Sequence, residues 1–324
     1  MDHSQVIKDS LREELDKFDT YLKQSIQNEN PRITRMVEHV FSAEGKRIRP
    51  MLVFLAAKAC GKITPETYHG AVTVELLHTA TLIHDDVVDD SAVRRGQASV
   101  NSAFGNHQAV LIGDYFLSSA LRESVKTQDL EIVDIIAELG QNLSEGELNQ
   151  YAIASEIIID EEEYFRVIDN KTASLLYACT KIGAITAGAG RMTIEEFGRL
   201  GRILGISFQI RDDIFDYYKA DVGKPTGNDL REGKITLPLI YALRTAPKEL
   251  SEKMSDIIHA QNFSDDNIFA LLEFAKRNGG IEYAYKKMDE YLSEAEEIIT
   301  NFPFNADIKI LMQLLLLYLK DRKF

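Results

Sequence analysis

Apolar residues recur along this chain at intervals of three and four, the spacing that lines one face of an α-helix. Leu130, Val133, Ile136 and Leu143 show it, inside a stretch from Pro65 to Pro225 that contains no proline. Strand-like alternation is scarce. Thr64 followed by Pro65 reads as an N-cap and first helical residue, and Thr193 with Glu196 reads as a capping box. Helix stops are read at Gly61, at Gly188 and Gly190, and at Gly279-Gly280. No repeat of fixed period and no low-complexity linker divides the chain. The pattern predicts one all-α domain over residues 1–324, with two lobes as the alternative for a helical chain of this length.

Composition narrows the class. With 324 residues, 45% hydrophobic and 27% charged, the chain can bury a substantial core. The aliphatic run Leu314 to Leu317 is too short for a bilayer, which needs about 20 apolar residues. The opening "MDHSQVIKDSLREELDKF" is mixed in charge and lacks an apolar block, so a cytoplasmic protein without a transmembrane segment is expected. Cys60 and Cys179 stand in no metal-ligand spacing and read as small buried residues. A net charge of -14 and the lack of basic tracts argue against nucleic acid as a partner.

One acidic segment departs from this background. "LIHDDVVDD" places Asp85, Asp86, Asp89 and Asp90 behind an apolar stretch, with Asp85/Asp89 and Asp86/Asp90 four apart, a like-charge spacing that opposes helix formation. An acidic run alone is usually a solvated face. Here it has a second copy, "FQIRDDIFDYY", in which Asp212, Asp213 and Asp216 repeat the offsets of Asp85, Asp86 and Asp89. Carboxylates one helical turn apart suit hard divalent cations, and magnesium takes one or two of them while keeping positions for water and substrate phosphates. Asp86, Asp90 and Asp213 fall off the inferred metal face, although Asp86 and Asp213 are kept in the motifs. Cations recur in short motifs: "GKRIRP" (45–50), "RRG" (94–96), "NKTA" (170–173) and "GKPTGNDLREGK" (223–234). Arginine forks and lysine point charges both suit a diphosphate.

These motifs, with "GDYFLS" (113–118) and "EGELNQ" (145–150), resemble the trans-isoprenyl diphosphate synthases, or polyprenyl synthetases, over Gly45 to Pro238. The resemblance implies an all-α barrel of helices around a deep apolar cavity, usually a homodimer. It implies that Asp85, Asp86, Asp89, Asp212, Asp213 and Asp216 serve roughly three Mg2+ ions. Asp85, Asp89, Lys171, Asp212 and Lys224 are its catalytic set. By the same resemblance, Arg94, Lys171, Thr172, Gln209, Lys224 and Lys234 contact the allylic diphosphate, and Lys46, Arg49, His78 and Arg95 bind isopentenyl diphosphate. Without it, His78 and His84 read as core or rim groups. The glycine-rich 223–234 segment is expected to act as a lid that excludes water.

Product length is read from the face below Asp85, where Leu77, Ala80 and Thr81 lie one and two turns back. Ala80 and Thr81 are small, and short-chain members of the family often carry aromatics there. A product of hexaprenyl to decaprenyl length is expected, with octaprenyl favoured, for quinone side chains. The floor is expected in the Leu130 to Leu143 segment. Alternatives are a short-chain geranylgeranyl or farnesyl synthase and a non-catalytic subunit of a heteromeric synthase. A terpene cyclase is disfavoured because the second motif is DDIFD.

Overall fold

Helix Pro65–Val88 shows how pattern becomes structure. The Thr64 hydroxyl accepts from the Thr67 amide while the Thr67 hydroxyl accepts from the Thr64 amide, and Pro65 opens the first turn. Val72, Val74 and Leu76 are wholly buried and Leu77 is nearly so. Each such burial contributes roughly 1.5–3 kcal/mol, whereas a like-charge pair four residues apart costs about 0.2–0.5 kcal/mol. Burial therefore decides, and the acidic segment is carried into the last turn.

The computed structural model describes residues 3–42, 45–218 and 226–321. Among them the all-α expectation holds: helices follow one another along the chain, with one π-helical turn, Asp169–Ala173. The one exception is a short antiparallel pair, Val93–Arg94 with Gln97–Ala98. Its turn is the "RRG" motif. Arg95 (φ 52°) and Gly96 (φ 78°) both adopt positive φ, as a tight two-residue hairpin turn requires.

The chain packs as two compact units. The first takes its residues from Met1–Gly140, Leu175–Gly201 and Phe304–Met312, the second from Gln141–Ser174, Arg202–Pro303 and Gln313–Phe324. In the first, Pro65–Val88 runs antiparallel to Asn106–Lys126. His69 Nδ1 lies 2.6 Å from Glu123 at one end, and His84 Nε2 lies 3.3 Å from the Val110 carbonyl at the other. Helix Ile48–Cys60 is buried continuously from Pro50 to Ala57. A Cβ on Gly183 would stand 2.3 Å from the Val53 carbonyl oxygen, so the close approach there needs glycine. In the second unit, Leu237–Thr245 packs on Asp265–Arg277 and Gly280–Asn301, with the Tyr241 and Tyr283 rings stacked 4.0 Å apart.

Two local expectations are corrected. Helix Arg191–Phe215 starts directly after Gly190, so Thr193 is its third residue and not its cap. On helix Leu130–Glu156, Leu130 is 85% exposed, and the buried stripe is Ile132, Ile135, Ile136, Leu139 and Leu143. The stop at Gly188 is as expected. With Gly188 at φ 76°, its amide bonds to Ile185 and that of Ala189 to Ala184, the paired bonds that close a helix C-terminus. Among the described residues no helix is long and apolar enough to cross a membrane.

Candidate active site

The first aspartate motif closes helix Pro65–Val88, with Asp89 as the residue just past its end and the Asp89 amide donating to the Asp85 carbonyl at 2.8 Å. Asp86 is turned inward, 2% exposed. Arg94 donates to it through Nε at 2.9 Å and also through Nη2, and Asn101 donates to its backbone carbonyl at 3.0 Å. Asp86 thus ties the "RRG" hairpin to the helix. Asp85 is partly exposed and Asp89 is exposed.

Beside this motif, in the same unit, Glu75, Asp86, Arg94 and Arg95 line a cavity of about 50 Å³. Arg49 donates through Nη2 to His78 Nε2. Burial, then Arg49, pushes the His78 pKa well below the usual imidazole value, so His78 is neutral and accepts at Nε2. Lys46 is exposed, and a Cβ on Gly45 would stand 3.1 Å from Arg95 Nη1. "GKRIRP" therefore begins against the hairpin arginine. Of the product-length residues, Leu77 and Ala80 are each 1% exposed, and Thr81 is partly exposed with its hydroxyl on the His78 carbonyl at 2.9 Å.

The second motif repeats the register of the first. Helix Arg191–Phe215 ends one residue before Asp216, as Pro65–Val88 ends one residue before Asp89. Asp213, like Asp86, is buried, at 4% exposed. It accepts from the Tyr164 hydroxyl at 2.7 Å and from Gln209 Nε2 at 2.8 Å. Burial, then Asp229, raises its pKa well above the usual carboxylate range. Asp229 is raised to about 7 by burial and by Asp216. Asp216 accepts from the amides of Asn228 and Asp229 at 3.0 and 3.1 Å, which ties the described part of the glycine-rich 223–234 segment to the aspartates.

Lys171 and Thr172 sit on the π-helical turn, a widened geometry frequent at functional sites. Thr172 donates to Gln209 Oε1 at 2.8 Å, so Thr172, Gln209, Asp213 and Tyr164 form one chain of bonds. Lys171 pairs with Glu147 at 2.5 Å and lies 3.4 Å from Gln150, both from "EGELNQ". Glycines let neighbours approach this turn: a Cβ on Gly205 would stand 2.4 Å from Ala173 Cα, and one on Gly146 would stand 3.1 Å from the Lys171 amide nitrogen. A cavity of about 180 Å³ is lined by Lys171, Thr172, Gln209, Asp213 and Lys234 at its polar part and by Ile153, Val167 and Ile235 elsewhere. Lys234 pairs with Glu232. Lys224 and the 223–225 part of the expected lid lie outside the described residues.

The two aspartate motifs repeat one register, each with its second aspartate buried on a polar side-chain partner. The model of the polyprenyl synthetase family matches residues 30–274. The chain belongs to the polyprenyl synthetase family. Octaprenyl diphosphate synthase of Escherichia coli is 36% identical over 266 residues, 81% of this chain and 82% of that protein. A short chain isoprenyl diphosphate synthase of Methanothermobacter thermautotrophicus is 33% identical over 299 residues, covering 90% and 91%. The crystal structure of a decaprenyl diphosphate synthase from Rhodobacter capsulatus superposes with a TM-score of 0.92 at 31% identity, covering 99% of this chain and 100% of that one.

The polyprenyl synthetase motifs also fit a divalent cation. Among the described residues no three His, Cys, Asp or Glu side chains gather closely enough to enclose a metal. Magnesium does not need such a cage, since one or two carboxylates suffice when phosphates and water fill the rest. Each motif lies at a helix C-terminus, where the carbonyl ends add partial negative charge to the carboxylates. Asp86 and Asp213 are buried on side-chain partners, whereas Asp85, Asp212 and Asp216 are partly exposed and Asp89 is exposed. The sequence does not single out Tyr164, Glu75 or Asn101, whose partners are distant in the chain; Glu147 stands in "EGELNQ", the one signal among these residues.

Proposed function

We propose that this chain is a trans-polyprenyl diphosphate synthase, acting as a single catalytic domain over residues 1–324, that condenses isopentenyl diphosphate with an allylic diphosphate. The observation that carries the reading is the repeated register: two helices end at the same point of a DDxxD motif, each with its middle aspartate buried and paired. Asp85, Asp89, Asp212 and Asp216 hold the magnesium, about three ions by the family's pattern. Bound there, magnesium supplies Lewis-acid stabilisation of the charge on the departing diphosphate.

The chain's own groups do the rest. Lys171, Thr172, Gln209 and Lys234, with Lys224 and Arg94, orient the allylic diphosphate and favour heterolysis of its C1–O bond, with the electron pair leaving on oxygen. Lys46, Arg49, Arg95 and neutral His78 hold isopentenyl diphosphate so that its double bond attacks C1. A proton then leaves the new chain to the released diphosphate. Asp86 and Asp213 are positioning groups in this reading, Asp86 for Arg94 and Asp213 for Gln209 and Tyr164.

Purified chain alone, given both diphosphates and Mg2+, is expected to release diphosphate continuously. No turnover would favour the reading as a non-catalytic subunit. Val110, Leu111, Leu121 and Val125 are 41–67% exposed on helix Asn106–Lys126, which supports a homodimer, and sedimentation at twice 36.6 kDa is expected. The diphosphate substrates are water-soluble, in keeping with a cytoplasmic enzyme.

The small residues at 80 and 81 support a medium or long product, hexaprenyl to decaprenyl with octaprenyl favoured, of a kind suited to quinone side chains. The relative named as a short chain synthase keeps a short product as the second reading. Thr81, partly exposed one turn before Asp85, takes a larger side chain with less disruption than the sealed Ala80. Thr81→Phe is expected to shift products toward farnesyl or geranylgeranyl length while turnover continues, because one turn is about 5.4 Å, close to one isoprene unit. An unchanged product distribution on chromatography would remove this face from length control.

A further inference from the structure

Glu75 sits on helix Pro65–Val88 between the wholly buried Val74 and Leu76 and is itself only 3% exposed. A carboxylate in that position is costly unless it is paired and hydrogen-bonded. Two guanidiniums flank it: Arg47 Nη1 lies 3.5 Å from Oε1, and Arg49 Nη1 lies 3.7 Å from Oε2. The pairing is incomplete. Glu75 Oε2 and Arg49 Nε are both buried atoms without a hydrogen bond.

The arginines are fixed from their other sides as well. Arg47 precedes helix Ile48–Cys60 in the left-handed region (φ 56°), a conformation that a non-glycine residue keeps only when its surroundings impose it. It donates to Asp19 at 2.9 Å and lies 5.4 Å over the Phe18 ring. Arg49 donates to His78, which stands three residues after Glu75 and so shares its helix face. Glu75 and His78 therefore grip Arg49 together. Burial lowers the Arg49 guanidinium pKa, and Glu75 beside it acts in the opposite direction.

We propose that Glu75 is a positioning residue for the isopentenyl diphosphate site: its carboxylate holds the Arg47 and Arg49 guanidiniums side by side and presents Arg49 to the incoming diphosphate already oriented. This rests on the assignment of Arg49 to that substrate. Without the intervening carboxylate the two guanidiniums repel, and the Arg49 side chain must be ordered at the moment of binding. A pre-oriented fork loses less freedom when the diphosphate arrives.

A simple counter-charge would have the opposite consequence, since a carboxylate beside a diphosphate site repels the ligand. The sign of the effect separates the two. In Glu75→Gln, the KM for isopentenyl diphosphate is expected to rise about tenfold or more, the loss of one charged contact, with the allylic KM and the circular dichroism unchanged. In an Arg49→Ala background the same substitution is expected to add nothing to that KM. An isopentenyl diphosphate KM that falls or stays level, or a rise shared equally by both substrates, overturns the proposal. Should Glu75→Gln not fold, Glu75→Asp keeps the charge on a shorter arm, and the same selective rise is expected; an unchanged KM there overturns the proposal equally. Arg49→Ala alone is the control. If it leaves the isopentenyl diphosphate KM unchanged, the site assignment fails; if it raises that KM while the Glu75 variants do not, the Glu75 inference alone fails.

Discussion

Asp85→Ala or Asp212→Ala is expected to lower turnover by on the order of a hundredfold or more, measured at saturating magnesium, with the helical circular dichroism of the wild type. Both aspartates are partly exposed in the final turn of their helices, so their removal opens no core cavity. Alanine at either position also relieves like-charge repulsion with the third aspartate of the motif. Activity close to wild type in either variant would overturn the metal assignment. Asp86→Ala and Asp213→Ala are different in kind. They take a buried acceptor from Arg94, or from the Tyr164 hydroxyl and Gln209 Nε2, and a loss of thermal stability accompanies any loss of rate.

Arg49→Ala and Lys171→Ala are expected to separate the two substrates. Truncating a charge that meets a diphosphate costs about 2–5 kcal/mol, which is roughly thirtyfold or more in binding. Arg49→Ala should place that loss on the KM for isopentenyl diphosphate and Lys171→Ala on that for the allylic diphosphate. The structure places Arg49 with His78 and Glu75 in one compact unit, and Lys171 with Glu147 and Gln150 in the other. Initial rates with each substrate varied in turn give the answer. Two variants that weaken the same substrate would contradict the division of roles.

The helices were readable where local chemistry determines them. Thr64 and Pro65 mark a helix start because cap and proline act within one turn, and Gly188 marks a stop because a positive φ is needed there. Thr193 fits a capping box by pattern alone, because a threonine three residues before a glutamate is equally at home inside a helix that starts at Arg191. The face of Leu130–Glu156 was misread at Leu130 because burial at a helix start depends on which neighbours cover it.

At the site, the repeated aspartate offsets were visible because both copies follow the period of one helix. Their division into buried and exposed members was visible only as an angle around that helix. What Asp86 and Asp213 hold is a tertiary fact: Arg94 is 8 residues from Asp86, and Tyr164 is 49 from Asp213. Glu75 was hidden more completely. In sequence it is one acid on an apolar helix, and only packing brings Arg47 and Arg49 to it.

Product analysis after incubation with isopentenyl diphosphate and, in turn, dimethylallyl, geranyl and farnesyl diphosphates shows whether the chain elongates prenyl diphosphates and how far. Mg2+-dependent elongation from at least one primer to all-trans products of hexaprenyl to decaprenyl length is expected, with octaprenyl diphosphate the main one. No elongation from any primer would contradict the assignment as a synthase, and products ending at farnesyl or geranylgeranyl diphosphate would contradict the long-chain reading.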